Sequence, residues 1–446
     1  MPDRGATTFE RQIPRQMHTP TEPHDEDHIV AHVLQATEEA IAHAAGQSRE
    51  RKGETMRKLA IKATHVLTPL QDLRNAVVLI ENDRIVAVGR QANVTIPEDA
   101  EVMDFGDRIV APGFVDVHNH GANGHWANEG SEAVKEIARW LVQTGTTSWL
   151  ATVSDVESIR GVVKASREGT GGTGIPGIHC EGPFLAPKNL PGMPYQEKPL
   201  ADIALYHQML EAGEGMIRIM DCAPDLPKAL ELIQEIVRTG VTASCAHSKT
   251  DYDTFMRGVE AGIRHATHTY NVMSGMHHRR PGIVGGVLTC DAVVAELIPD
   301  GFHVHPVAMD VLIRCKGFDK ICTVTDSTSL AGLPNGEYSF HGRKVVKRDG
   351  ILRAAGYDET QDGSMAGSAW TMDHDLWTLV DKVGVRLQDV VRMATLTPAT
   401  TAGLAKEIGS LEPGKYADVT VIDERVKVYM TMVRGEVVYQ AEGDFS

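Results

Sequence analysis

Six side chains that can bind a metal ion or carry a proton stand directly after, or at the ends of, short apolar segments in the middle of this 446-residue chain. All of them are imidazoles or carboxylates: His118, His120, Glu181, His247, His268 and Asp326. A single histidine at a strand end is more often an ordinary hydrogen-bonded residue, and a single aspartate there commonly caps the next helix. Six such residues on the ends of five predicted strands are not a pattern that chance readily produces.

The chemistry that suits this set is that of a divalent metal ion. Segment FVDVHNH ends in His118 and His120, and both rings point to one side because strand side chains alternate. Imidazoles with a carboxylate suit Zn²⁺ first, and also Fe²⁺ or Mn²⁺. Such an ion lowers the pKa of its water to about 7. Asp326 could take the proton of that water and return it to a leaving amine. The set therefore predicts metal-assisted amide hydrolysis with Asp326 as the catalytic acid and base.

A closed barrel of parallel strands would bring these strand ends together. Eight apolar segments alternate with helical stretches over residues 112–402: FVDVHNH, TTSWLATVS, GIPGIHCEGPF, GMIRIMDCAP, VTASCAHS, HATHTYN, AVVAELIPDG and KICTVTDS. This α/β pattern predicts a (β/α)8 TIM barrel, whose functional residues gather at the carboxyl ends of the strands. A doubly wound sheet is the alternative fold, but the GxGxxG turn it would want after its first strand is absent.

The two flanks of the barrel read as β-structure, and a further segment precedes them. Residues 56–111 and 403–446 hold short β-like segments separated by turn residues, which predicts a small β-sandwich domain built from both ends of the chain. Residues 1–55 read as an N-terminal extension with one amphipathic helix over 29–45. The acidic cluster at 24–28 could bind metal, although a solvated charged run is the commoner interpretation.

Composition excludes several classes of function. The net charge of −16 argues against nucleic acid, whose binding proteins carry basic faces. No apolar run approaches the ~18 residues of a membrane span, and the first residues lack the apolar region of a secretory signal. We therefore expect a cytoplasmic protein with no membrane partner.

The six cysteines form no CxxC pair, and several stand in apolar segments, which predicts reduced core residues.

Longer motifs carry a resemblance to a known family over about Lys58 to Val438. They are APGFVDVHNHG, GIHCEGPFLAPK, ATHTYNVMSGMHHRRPGIVGG, LIPDGFHVHP, VTDS, SMAGSAWTMD and GSLEPGKYADVTVID. With them the chain resembles the amidohydrolase superfamily and, within it, the N-acetylglucosamine-6-phosphate deacetylases. The block from ATHTYN to PG is quite specific to the deacetylases, whereas HxH and PGKYAD occur across the superfamily.

The resemblance implies roles for the metal-binding residues. Glu181, His247 and His268 match the family's principal metal ligands, and His118 with His120 match the pair that lets some members hold a second ion. One or two divalent ions per subunit, zinc first, are therefore expected. No lysine ends the fourth strand segment, so a carboxylated-lysine bridge is not expected. Asp326 matches the family's catalytic acid and base.

The resemblance also implies a binding site for an amino-sugar phosphate. The matching positions are Asn271 and Val272, Arg279 for the phosphate, His303, and a backbone stretch of Met365, Ala366 and Gly367. Arginine suits phosphate because its planar fork donates two parallel hydrogen bonds. Since the family often builds its phosphate site with help from a neighbouring subunit, a homodimer is expected.

One position departs from the family pattern. Met193 stands where members usually carry a histidine thought to polarise the scissile carbonyl, and methionine cannot donate a hydrogen bond. Either another residue such as His125 or Tyr195 takes that role, or the substrate is not the family's usual one, or the loop is aligned out of register with the family. Three hypotheses follow: deacetylation of N-acetylglucosamine 6-phosphate, hydrolysis of another N-acyl sugar or a cyclic amide, and a non-enzymatic scaffold. A scaffold would be expected to have lost ligands, and this chain retains them all.

Overall fold

The computed structural model describes residues 57–68, 71–187, 197, 199–340, 343–354 and 367–442. The predicted extension at 1–55, with its helix over 29–45, lies outside these described residues.

Twenty-one strands occur in the described ranges. In chain order they are β1 (Lys58–Leu67), β2 (Asp72–Glu81), β3 (Arg84–Arg90), β4 (Glu101–Asp104), β5 (Ile109–Pro112), β6 (Phe114–Asn119), β7 (Gly121–Ala122), β8 (His125–Trp126), β9 (Thr146–Val153), β10 (Gly174–Cys180), β11 (Ile217–Asp221), β12 (Thr242–Cys245), β13 (His265–Ala266), β14 (Val294–Leu297), β15 (Ile321–Thr323), β16 (Gly336–Phe340), β17 (Arg343–Arg348), β18 (Ile351–Ala354), β19 (Val419–Ile422), β20 (Val428–Val433) and β21 (Glu436–Gln440).

Ten α-helices occur in the same ranges: α1 (Ser131–Leu141), α2 (Val156–Glu168), α3 (Ile203–Gly213), α4 (Ala229–Arg238), α5 (Tyr252–Ala261), α6 (Gly282–Thr289), α7 (Pro306–Lys316), α8 (Met372–Thr378), α9 (Leu387–Met393) and α10 (Leu396–Thr401). Short 3₁₀ turns lie at Gln91–Asn93, Ala127–Glu129, Val142–Thr144 and Phe318–Lys320, and a π turn lies at Leu379–Val383. No helix of the described part is both long and apolar enough to cross a bilayer.

Eight parallel strands form the predicted barrel. Their order is β6-β9-β10-β11-β12-β13-β14-β15, and a helix follows each strand, α1 to α8 in turn. The two ends of this sheet meet through a parallel bridge between Asn119 and Ser327. The amide of Asp326 donates to the carbonyl of His118 (2.9 Å), and the amide of His120 donates to Ser327 (2.8 Å). The fold prediction is confirmed, and the eight barrel strands fall in the eight predicted segments.

The remaining large sheet uses both ends of the described chain. Its order is β21-β20-β19-β5-β1-β2-β3, with β4 paired to β1, so strands from before and after the barrel form one eight-stranded sheet. It has an apolar core of its own, which includes Ile61, Val78 and Val419. A three-stranded antiparallel sheet, β16-β17-β18, lies between β15 and α8 and was not predicted.

The cysteines agree with the expectation of a reduced core. All six are free, four of them are buried, and Cys315 is the exposed one.

Gly145 lies where the barrel meets the terminal sheet. It has a left-handed backbone (φ +80°) at the start of β9, and its carbonyl accepts hydrogen bonds from the amide of Phe114 (3.0 Å) and the hydroxyl of Thr420 (2.8 Å). A Cβ atom at this position would lie 2.7 Å from the ring of Phe114 and 2.9 Å from the methyl group of Thr420. Both the conformation and the space therefore require glycine.

We expect Gly145→Ala to lower the free energy of unfolding by at least about 2 kcal/mol, because backbone strain and overpacking add. Gly384→Ala is the matched control, since Gly384 is also left-handed (φ +79°) but has no heavy atom within 4 Å of the added Cβ. It should lose only the strain of about 1–2 kcal/mol. Thermal and denaturant unfolding compare the two, and equal midpoints would contradict the packing argument.

Candidate metal centre

Glu181 lies at the centre of the barrel mouth and faces three imidazoles. It follows β10, while His247 follows β12 and His268 follows β13. Its Oε1 is 2.8 Å from Nε2 of His247 and 3.1 Å from Nε2 of His268. Its Oε2 is 3.2 Å from Nε2 of His120. One largely buried carboxylate thus contacts ring nitrogens from three different barrel strands.

A second group lies beside the first. Nε2 of His118 and Nε2 of His120, both from β6 and its end, are 3.3 Å apart. Oδ1 of Asp326, which follows β15, is 3.5 Å from the first of these nitrogens and 3.4 Å from the second. The structure therefore brings together all six residues that the sequence predicted to meet.

These residues fit a divalent cation. Within each of two groups, His118–His120–Asp326 and Glu181–His247–His268, one ligand atom from each residue lies within 4.8 Å of the others. Nε2 of His118 and Nε2 of His120 face each other and also face the carboxylate of Asp326, so nitrogen and oxygen donor atoms converge on one point. A cation satisfies nitrogen lone pairs and carboxylates together, and this donor set suits Zn²⁺, Fe²⁺ or Mn²⁺.

The backbone at three of these residues is strained. His247 (φ +45°), His268 (φ +34°) and Asp326 (φ +46°) all have left-handed backbones. Such conformations cost about 1–3 kcal/mol each in non-glycine residues and concentrate at functional sites. The fold therefore holds these side chains in directions that relaxed strand ends would not give them.

Charge in the mouth favours ionised carboxylates. Burial alone would raise the pKa of Glu181, but His247 and the other imidazoles outweigh burial and hold this pKa well below its usual range. Burial likewise raises the pKa of Asp326, and the nearby His118 and His120 reverse that effect and lower it. Both groups are therefore anionic at neutral pH, as a cation site requires.

A buried polar network joins the first and last barrel strands beside the mouth. The Thr325 hydroxyl donates to Oδ2 of Asp116 (2.7 Å), and the side-chain Nδ2 of Asn119 donates to the same oxygen (3.1 Å). Burial raises the pKa of Asp116 to about 6, and its hydrogen bonds offset part of that effect. Sequence reasoning missed Asp116, although its position two residues before His118 places it on the same strand face.

Most of the predicted substrate residues that the structure describes lie near the barrel mouth. Asn271 and Val272 follow His268 in a tight turn, where the Asn271 amide donates to the His268 carbonyl (2.9 Å). The Nδ2 atom of Asn271 is buried without a partner in the described structure. His303 follows β14, and its Nδ1 bonds Oδ2 of Asp300 (2.7 Å). Gly367 lies close to Asp326, because the backbone amide of the residue after it, Ser368, donates to the Asp326 carbonyl (3.1 Å).

Arg279 lies apart from this group. It is exposed, and its guanidinium contacts the ring of His278 (2.8 Å). Within the described ranges no hydrogen bond or ion pair joins it to the six residues of the mouth. His125, one of the two alternatives to Met193, lies in β8, which pairs with β7, the strand that follows the mouth residue His120. Met193, Tyr195, Met365 and Ala366 lie outside the described residues.

Comparison with known proteins gives consistent matches. The amidohydrolase family model matches residues 109–438. The N-acetylglucosamine-6-phosphate deacetylase of Bacillus subtilis (strain 168) is 30% identical over 391 residues, which cover 85% of this chain and 97% of the relative. The N-acetylgalactosamine-6-phosphate deacetylase of Escherichia coli O157:H7 is 30% identical over 380 residues, which cover 84% and 99%.

Solved structures agree with these matches. The N-acetyl-D-glucosamine-6-phosphate deacetylase of Mycobacterium smegmatis, a mutant in complex with N-acetyl-D-glucosamine-6-phosphate, superposes with a TM-score of 0.77 at 29% identity. That match covers 86% of this chain and all of the other. The corresponding enzyme of Thermotoga maritima superposes with a TM-score of 0.71 at 26% identity, over 86% and 100% of the two chains.

We expect the gently purified protein to carry at least one divalent transition metal per chain, and Glu181→Gln to lose most of it. The substitution removes the carboxylate whose two oxygens face His120, His247 and His268. Glu235→Gln is the matched control, because Glu235 is buried to the same degree (14% against 13% exposed) and also bonds a histidine, His207. Elemental analysis compares the three proteins. A fully active wild type without metal, or equal metal in all three proteins, would refute the assignment.

Proposed function

This chain belongs to the amidohydrolase family, and we propose that it hydrolyses the N-acetyl amide of an amino-sugar phosphate, N-acetylglucosamine 6-phosphate, to the free amine and acetate. The observation that carries the proposal is the meeting of Glu181, His247 and His268 with Asp326 at one barrel mouth. This chain matches nearly the whole length of two relatives that are deacetylases of amino-sugar phosphates.

The proposed roles of the ligands follow from their grouping. Glu181, His247 and His268 would hold the principal ion, and His118 with His120 would hold a second. When bound, a divalent ion supplies Lewis acidity that makes water a strong nucleophile at neutral pH.

Asp326 performs the proton transfers in this proposal. Its carboxylate, anionic in the mouth, takes a proton as the water oxygen bonds to the amide carbon. The same group then gives that proton to the amide nitrogen as the carbon–nitrogen bond breaks, which releases the amine and acetate. The backbone that points Asp326 toward His118 and His120 fixes the direction of both transfers.

The remaining predicted residues would bind the sugar. His303 is held by Asp300 and offers its other ring nitrogen to the substrate. The buried Nδ2 of Asn271, which has no partner among the described residues, can donate to a sugar or phosphate oxygen. Arg279 would bind the phosphate, and Val272, Met365, Ala366 and Gly367 would line the sugar.

A second candidate substrate has its own support. The N-acetylgalactosamine-6-phosphate deacetylase is as similar to this chain as the N-acetylglucosamine-6-phosphate enzyme, at 30% identity each. Met193 in place of the family histidine also favours an N-acyl sugar other than the usual one, or a cyclic amide. Zinc as the ion is proposed on the donor set, a cytoplasmic location on the composition of the sequence, and a homodimer on the family resemblance.

Asp326→Asn should leave metal content nearly unchanged and lower turnover by about 10²–10⁴-fold, because the amide keeps the shape but cannot accept a proton. Elemental analysis and acetate release on N-acetylglucosamine 6-phosphate measure the two effects. Near-normal turnover in this variant would remove Asp326 from the mechanism.

Arg279→Ala should raise KM for the 6-phosphate strongly, since a charge-assisted hydrogen bond worth about 1.5–3 kcal/mol is lost, and should matter little for plain N-acetylglucosamine. Arg280→Ala, at the exposed neighbour, is the control for loss of positive charge in the same loop. Steady-state kcat/KM on both sugars, and on the galacto epimer, distinguishes the substrates. A wild type without preference for the phosphorylated sugars would refute the sugar-phosphate assignment.

A further inference from the structure

Glu296 is a fully buried carboxylate in the barrel interior that the proposed reaction does not use. It lies in β14, the seventh barrel strand. Its Oε2 accepts two hydrogen bonds, one from Nδ1 of His118 (2.8 Å) and one from the backbone amide of His268 (2.9 Å). The two donors belong to different ligand groups of the mouth. A single buried oxygen therefore contacts one residue of each group.

The other oxygen of Glu296 has no comparable bond. Oε1 has no hydrogen-bond partner in the described structure, although Nε2 of His265 (3.7 Å) and Nδ1 of His179 (3.8 Å) are its neighbours. Nδ1 of His179 instead bonds the Val117 carbonyl (2.8 Å). In the described structure, the side-chain oxygens of Glu296 therefore form hydrogen bonds with two proposed metal ligands and with no other residue of the barrel core.

These two bonds have different effects. When Nδ1 of His118 donates its proton to Glu296, Nε2 carries a lone pair toward His120 and Asp326, which is the tautomer that a metal ligand needs. The bond to the His268 amide acts on the backbone of a residue in a left-handed conformation, and so on the direction of its ring toward Glu181.

We propose that Glu296 is a positioning residue shared by both ligand groups, which fixes the ring of His118 and the backbone of His268 through a single carboxylate oxygen. The proposal rests on the metal ligands assigned under the proposed function. It adds to them one anion that orients a ligand in each group, so that loss of this anion weakens both groups at once.

The test is zinc binding by the purified full chain, measured by competition with a chromophoric chelator. Glu296→Gln keeps the shape but removes the charge and can turn a donor toward His118. We expect its affinity for every zinc ion that the wild type binds to fall about 10–100-fold, the usual effect of losing an outer-shell partner. The visible absorption of the Co²⁺-loaded protein should change as well, since it reports ligand geometry and not global stability. Glu296→Asp, which restores the charge on a shorter side chain, should recover part of the affinity.

Asp221→Asn is the matched control. Asp221 is also a fully buried barrel carboxylate, and it accepts a bond from Thr267 (2.7 Å) and contacts His179 (3.2 Å), with no bond to the six residues of the mouth in the described structure. This variant should keep wild-type zinc affinity and the wild-type Co²⁺ spectrum even if its melting temperature falls.

Zinc affinity in Glu296→Gln equal to that of wild type would overturn the proposal, as would an equal loss in Asp221→Asn. A loss confined to one of two bound ions would overturn the claim that the residue is shared. Substrate hydrolysis is a separate readout: a wild type that binds zinc but releases no acetate from the sugar phosphates refutes the proposed function and leaves the role of Glu296 standing.

Discussion

The contact of one carboxylate, Glu181, with three imidazoles is the interaction on which the rest of the site depends. Bringing these groups out of water is costly unless opposite charges or a cation compensate them. The compensation works only at distances near 3 Å, so the ends of four barrel strands, β6, β10, β12 and β13, must be fixed relative to one another. The strained backbones of His247 and His268 are part of what that requirement costs.

Closure of the barrel between its first and eighth strands helps to fix these strand ends relative to one another. The first and eighth strands meet without long ladder pairing, through the bridge from Asn119 to Ser327 and the network of Asp116, Asn119 and Thr325. This junction places His118 and Asp326, which come from opposite ends of the barrel sequence, within 3.5 Å. Burying a polar network costs free energy unless its members are bonded, and here the network lies next to Asp326, the proposed catalytic residue.

The sequence could predict the barrel and the six residues of its mouth because both depend on local pattern. Apolar segments locate strands, and the residue that ends each strand must lie at one face. Glu296 could not be found in this way. Within AVVAELIPDG it is an acidic residue in an apolar segment. It contacts His118 because the barrel brings together two residues that are 178 positions apart, and no local sequence pattern shows that contact. Asp116 could have been found from its spacing to His118 on the same strand. Thr325 could not, because its bond to Asp116 joins residues 209 positions apart. The sheet β16-β17-β18 pairs only strands that follow one another in the sequence, and it was missed although its pattern is local.

The sheet shared by both ends of the chain has a consequence for synthesis on the ribosome. Strand β5 pairs with β19, and about 300 residues separate them. At about 5–20 residues per second, β5 waits on the order of 15–60 s for its partner to emerge. During that time the apolar face around Ile61 and Val78 lacks the cover of Val419 and Met430. The nascent chain therefore presents an open sheet edge and a bare apolar surface while the barrel is being made, which is a natural place for a chaperone to act before the enzyme is complete.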